Sequence, residues 1–192
     1  MFLVKQRQTQ KWSFFTPQKA LIEHGYGRLD TILDSGRQGP PDRNGEPVQV
    51  LVAPTWGENG LIERHGLEVI KPLIDAGLRV VLRPHPRTRK LQPEILDKIA
   101  AYYAEESRFR LDEDADATTS LLDSDIMLSD WSGAALEFSL GLERPIIFAD
   151  VPRKVLNPEY SPTALTYPLL IQRLSVHVLV LQWVQCPGQH GG

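Results

Sequence analysis

The stretch Ser124-Asp-Ile-Met-Leu-Ser-Asp-Trp-Ser-Gly-Ala-Ala-Leu-Glu-Phe-Ser-Leu-Gly-Leu-Glu-Arg-Pro-Ile-Ile-Phe-Ala-Asp150 reads as strand, polar turn, short helix and second strand. The spacing predicts strands over Ile126–Leu128 and Pro145–Phe148, with a helix over Gly133–Leu140 ended by Gly141. The turn Ser129-Asp-Trp-Ser-Gly133 puts small hydroxyl residues and a glycine where that helix begins. A helix start presents unpaired N–H groups and the positive end of the peptide dipole. A phosphate or diphosphate docks there when no bulky side chain intervenes. Glu137 follows Gly133 by four residues, one turn into the helix, where a carboxylate can accept hydrogen bonds from a ribose diol. The stretch therefore points to a nucleotide site at a strand end.

Outward from it, short apolar runs alternate with segments of helical spacing. Strands are predicted over Val48–Pro54, Arg79–Leu82 and Phe109–Leu111, and helices over Leu61–Ala76, Pro93–Glu106 and Thr118–Leu122. Pro72 is expected to kink or split the first of these helices, and Gly77 to stop it. Thr118 or Thr119 is the expected N-cap of the last. Strands that alternate with helices and lack strict two-residue patterning predict an α/β fold, a doubly wound, mainly parallel sheet covered on both faces. Ligands in such sheets bind beyond the carboxyl ends of the strands. The polar and proline-rich segments Pro54-Thr-Trp-Gly57, Arg83-Pro-His-Pro86, Ser129–Gly133 and Asp150-Val-Pro-Arg153 all fall there, so separate loops should converge on one edge. The turn-rich run Ser35–Gly45 sets a boundary: 1–45 reads as linker, 46–160 as the α/β domain, and 161–192 as an atypical tail.

The charge balance, 21 Lys and Arg against 24 Asp and Glu, contains no basic block. Wholesale nucleic-acid backbone binding is thereby excluded. Arg83 and Arg87 suit one small anion instead. Cys186 is the single cysteine, which rules out an intrachain disulfide and a cysteine zinc cluster and fits a reducing cytoplasm. The first residues lack a signal-peptide core. No apolar run reaches the roughly 18 residues of a membrane span; Gln172, Arg173, His177 and Gln182 interrupt the tail.

Each candidate has a functional and a plainer reading. His85, between two prolines after a strand, can donate to a diphosphate oxygen, or is a rigid loop residue. Arg83 can grip the same anion through its fork, or join an ion pair. Asp130 reads chiefly as the cap of the helix that follows it, because a bare carboxylate repels a diphosphate. Ser129 and Ser132 are capping hydroxyls or ligand contacts, with Ser132 the better ligand; Gly133 contributes its backbone N–H. Trp131 stacks on a base or packs. Glu137 holds a ribose or lies on a solvated face. Thr55 and Gly57 approach phosphate through their loop. Arg87, Arg89 and Lys90 form a solvated loop, or steer anions and meet membrane headgroups. His65 reads as an exposed helix residue.

Residues 50–160 resemble the carboxy-terminal half of bacterial CDP-glycerol glycerophosphotransferases, the teichoic-acid polymerases and primases. The resemblance rests on Leu51-Val-Ala-Pro-Thr-Trp56, Arg83-Pro-His-Pro86, Leu122–Gly133 and Pro145-Ile-Ile-Phe-Ala-Asp150. Gly25-Tyr-Gly-Arg-Leu-Asp30 resembles the family's Gly-Tyr-Pro-Arg segment, with Gly27 in place of proline. It implies the Rossmann-like half of a GT-B fold that binds CDP-glycerol as donor substrate, with no cofactor and no metal. It implies further that His85 contacts the diphosphate, Ser132 and neighbouring amides cradle it, and Glu137 holds the ribose. The family usually carries Tyr and a second Ser where this chain has Trp131 and Gly133. Its proposed general base, a histidine in a Trp-His-Gly-type motif of the amino-terminal domain, has no counterpart beyond a superficial His24-Gly25. The expectation is a truncated or split transferase, incomplete as it stands. The acceptor polymer would be reached through the missing domain, and the full enzyme would sit peripherally at the inner membrane face. The segment from Ser161 matches nothing in the family, which suggests a frameshift or misassembled end. Two rivals stand beside this reading: a nucleotide-sugar glycosyltransferase or epimerase of the same architecture, and a non-catalytic fragment that pairs with another chain.

Overall fold

The computed structural model describes residues 25–36, 39, 41–152 and 178–181. Six parallel strands form one sheet: β1 (Gln49–Val52), β2 (Arg79–Leu82), β3 (Phe109–Leu111), β4 (Ile126–Ser129), β5 (Ile146–Ala149) and β6 (Val178–Leu181). Their spatial order is β3-β2-β1-β4-β5-β6, so the direction of progression reverses between β1 and β4. This is the strand order of doubly wound dinucleotide-binding sheets.

Alternation along the strands builds two cores. Val50, Val52, Val80 and Leu82 face α2 (Leu61–His65), α3 (Leu67–Asp75) and α5 (Pro93–Tyr102), meeting Leu61, Ile62, Ile70, Leu96 and Ile99. Leu51, Val81, Met127 and Ile146 face the other way, toward Ile32 of α1 (Gly27–Gly36), Leu121 of α6 (Thr118–Leu122) and Ala135 and Phe138 of α7 (Gly133–Leu142). Both faces of the central strands are thus buried, which explains their unbroken apolar runs. Burial of this apolar surface on both sides is the main force holding the layers together.

Several elements depart from the sequence reading. The helical run over 61–76 splits at Gly66, not at Pro72. Gly66 takes φ 50° and ψ −119°, a left-handed turn that separates α2 from α3. Pro72 stays inside α3 on its exposed side, where water can serve the carbonyl that loses its donor. The expected stop at Gly77 is present: Gly77 N–H donates to Ile74 O at 2.9 Å and Leu78 N–H to Leu73 O at 3.1 Å, the two bonds of a Schellman ending. A helix, α4 (Pro86–Leu91), replaces the solvated loop expected around Arg87, Arg89 and Lys90. Helix α5 ends at Tyr102, short of Glu106. The N-cap of α6 is Ala117 rather than a threonine, and Asp116 just before it accepts Thr118 N–H at 2.9 Å.

Gly141 does not end α7; it lies inside it, and the helix closes at Glu143 in a left-handed conformation. The reason for the glycine is close packing. A Cβ at Gly141 would fall 2.5 Å from Ile32 Cγ2 and 3.2 Å from Leu29 Cδ1. Helix α1 therefore rests on α7 through a surface that admits no side chain. Helix α1 packs in the core beside α7, and β6 pairs in parallel with β5.

This seat is testable. Gly141→Val should cost about 1–3 kcal/mol through overpacking, read as a lowered urea midpoint. Combination with Ile32→Ala should cost less than the sum of the two changes, because they share one contact. Strict additivity would show that α1 is not seated there.

Candidate functional site

The loops that follow β1, β2, β4 and β5 share the carboxyl edge of the sheet, and the order reversal places the β1 and β4 loops side by side. The turn after β4 reaches across to its neighbour. Asp130, 1% exposed, accepts Thr55 N–H on Oδ1 at 2.6 Å and Leu61 N–H on Oδ2 at 3.1 Å. It therefore caps the start of α2, across the crevice, and not the helix that follows it in sequence. Burial pushes its carboxyl up from the ordinary aspartate value; the two N–H groups pull against that and the nearby Glu63 carboxylate adds to it. Ser129, fully buried, donates its hydroxyl to Ala53 O at 2.7 Å and stitches β4 to the end of β1. Both residues are structural members of the rim.

Ser132 takes the role expected of Asp130. Its Oγ accepts Ala134 N–H at 3.3 Å and caps α7, leaving the hydroxyl proton to donate elsewhere. Gly133 is exposed, and a Cβ there would meet nothing within 4 Å. The start of α7 is thus open to a ligand's approach. Trp131 donates Nε1–H to Val151 O at 2.8 Å, and with Asp150, Val151 and Pro152 it lines an open depression at the ends of β4 and β5.

On the β1–β2 side, His85 caps α4: its Nδ1 accepts Arg87 N–H at 3.0 Å. An accepting Nδ1 places the proton of the neutral ring on Nε2, which can then donate. The Trp56 ring lies 6.0 Å from the imidazole, centroid to centroid, and the Arg87 guanidinium stands 4.3 Å over the same indole. Glu63 ties this corner down, accepting from Thr88 Oγ1 at 2.8 Å and from Gly57 N–H at 3.3 Å. His85 and the 129–133 turn therefore share one rim, two strands apart, joined through Thr55 and Trp56. Arg83 is committed elsewhere. It donates to Asp112 Oδ2 at 2.7 Å and to Asp114 O at 2.5 Å, the ion-pair alternative from the sequence.

Glu137 is not a solvated face. Its Oε1 accepts the Tyr26 hydroxyl at 2.5 Å and its Oε2 accepts Arg28 Nε–H at 2.7 Å. That hydrogen bond and the burial that accompanies it raise the Tyr26 phenol above its ordinary value. Tyr26 and Arg28 are not among the residues the sequence pattern assigns to the site; the Gly25-Tyr-Gly-Arg28 segment is the signal that marks them. Among the described residues, no three His, Cys, Asp or Glu side chains are grouped to share a metal ion, and no helix is long and apolar enough to cross a membrane.

The architecture is thus a parallel, doubly wound α/β domain with donor groups gathered at its order reversal. The chain belongs to the glycerophosphotransferase family whose model is described as "CDP-Glycerol:Poly(glycerophosphate) glycerophosphotransferase" and matches residues 5–155. No curated protein matches the chain. Among solved structures it is similar to a variant of the wall teichoic acid polymerase TagF soaked with CDPG, with 20% identity over 64% of this chain and 26% of that one and a TM-score of 0.38. It is similar to the Methanocaldococcus jannaschii UDP-GlcNAc 2-epimerase, with 17% identity over 65% of this chain and 37% of that one and a TM-score of 0.45. The E. coli ADP-heptose LPS heptosyltransferase II shares 18% identity over 90% of this chain and 49% of that one, with a TM-score of 0.46. The chain spans about a quarter to a half of the length of these structures.

The Arg83 ion pair supplies a pH test. Burial pushes the Asp112 carboxyl up, but the Ser120 hydroxyl, Asp114 N–H and Arg83 together bring it below its ordinary value. A depressed folded-state value means stability that is present above the ordinary carboxylate range and lost as pH falls through the folded one. Asp112→Asn should cost about 1–3 kcal/mol near neutrality. In urea titrations the gap from wild type should narrow below about pH 4. A gap independent of pH would assign the cost to packing alone.

Proposed function

We propose that this chain is the donor-nucleotide-binding half of a glycerophosphotransferase that takes glycerol phosphate from CDP-glycerol. The observation that supports the reading is that the loop of His85 and the open start of α7 at Ser132–Gly133 both follow strand ends at the edge where strand order reverses, with Glu137 one turn into α7. Backbone N–H groups at the start of α7 and the Ser132 hydroxyl suit a diphosphate. The Glu137 carboxylate suits the ribose diol. The depression beside Trp131 leaves room for a base.

The reaction is an in-line displacement at the phosphorus that carries glycerol. A polymer hydroxyl attacks it, the bond to the bridging diphosphate oxygen breaks, and CMP leaves with that oxygen. Charge builds on the departing phosphate. His85 Nε2–H, held in its tautomer by the cap to Arg87 N–H, donates to it, and the α7 dipole lowers its energy. In this reading the acceptor, and the base that takes its proton, belong to a second domain across the cleft, and any membrane association of the whole enzyme runs through the polymer.

Calorimetric titration of the chain with CDP-glycerol tests this. His85→Ala should weaken binding about tenfold or more, the loss of a charge-assisted hydrogen bond, with an unchanged circular dichroism spectrum. Unchanged affinity removes the role given to His85, and preference for UDP over CDP overturns the donor assignment.

A further inference from the structure

The carboxylate assigned to the ribose is already occupied by the chain itself. Tyr26 O–H and Arg28 Nε–H each take one Glu137 oxygen, at 2.5 and 2.7 Å. The Glu137 side chain keeps 12% of its surface, whereas the Arg28 side chain is 44% and Tyr26 57% exposed. The two donors therefore sit on the solvent side of the carboxylate and cover it. A ribose diol brings two O–H donors on adjacent carbons, a spacing that also addresses both oxygens of one carboxylate. With so little of Glu137 exposed, the diol and the two side chains cannot all be accommodated.

We infer that Tyr26 and Arg28 are an internal competitor for the ribose subsite, so that a ribonucleoside diphosphate binds by exchanging their two hydrogen bonds with Glu137 for those of its own diol. The inference rests on the reading of Glu137 as the ribose ligand. The exchange is feasible because the ion pair is half-exposed, and such pairs are weak and screened. It also couples the site to the chain before α1. Tyr26 and Arg28 flank the first residue of that helix, whose later turn is seated on α7 through Ile32 and Gly141. Occupancy of the subsite would release the first turn of α1 while its later turn stays seated.

The test compares CDP with 2′,3′-dideoxy-CDP, which lacks both hydroxyls, in calorimetric titrations of the full chain. Tyr26→Phe combined with Arg28→Gln should tighten CDP binding about threefold or more and leave the dideoxy compound unchanged. In a Glu137→Gln background the gain for CDP should vanish. Tyr26→Phe alone, which removes one donor and keeps the ring, should give a smaller gain of the same sign. Weaker CDP binding by the double variant, or equal tightening of both ligands, overturns the inference. CDP binding that Glu137→Gln leaves unchanged overturns the ribose role and this inference with it, while the His85 and α7 parts of the site stand. Failure of the wild-type chain to bind any nucleoside diphosphate overturns the whole donor reading.

Discussion

Asp130 holds a carboxylate beneath the rim, 1% exposed, between the backbone N–H groups of Thr55 and Leu61. A doubly wound sheet needs a tie at this position. The chain leaving β1 turns to helices on one face, while the chain leaving β4 turns to α7 on the other. The two loops diverge and leave a crevice at the reversal. Burial of a carboxylate is costly unless hydrogen bonds compensate. Here they come from a loop amide and from one of the orphan N–H groups at the start of α2. The cost and its compensation fall on the same three segments, so the crevice keeps a defined width only while all three stay in place.

From that tie, order spreads along the rim through neutral donors. Glu63, in the first turn of α2, accepts from Gly57 N–H and Thr88 Oγ1 and so fixes the β1 loop against α4. The glycines of the loop have reasons in this geometry. Gly57 takes φ 112°, and a Cβ at Gly60 would lie 2.1 Å from Glu63 Oε2. With α4 fixed, its own N-cap orients the imidazole of His85. A side chain whose rotamer is set by the backbone of the helix it caps loses little freedom when it meets a ligand, which is the preorganisation that electrostatic catalysis requires.

The strands β1 to β5 were legible in the sequence because a buried parallel sheet leaves apolar runs no alternative, and the predicted rim segments lie at their ends, with Arg153 of the last one outside the described residues. What could not be read were choices settled by partners remote in sequence. Asp130 stands three residues before the start of α7, close to the place of a cap, but its partners are the amides of residues 55 and 61. Arg83 has the spacing of an anion ligand, yet Asp112 stands on the neighbouring strand's end 29 residues later. Gly66 and Pro72 are both helix breakers; burial decided between them, since the proline faces solvent. Gly141 has the position of a helix stop, and its function lies instead in Ile32, more than a hundred residues earlier. The apolar run 178–181 fits no motif, and a parallel edge strand asks for none beyond its hydrophobicity.

The cations of the rim are largely committed before any anion arrives. Arg83 is paired with Asp112 and Arg89 with Glu113 and Asp97, while Arg87 lies over the Trp56 ring. A diphosphate at this edge would meet chiefly N–H groups, a hydroxyl and the imidazole of His85. Fixed point charges would grip substrate and departing nucleotide alike, which strengthens binding without accelerating the step. Neutral dipoles aimed at one oxygen respond most where charge grows, on the leaving phosphate. On the proposed reading, the ion pairs keep strong cations out of the cradle, and the chemistry is left to groups whose contribution rises as the bond to phosphorus breaks.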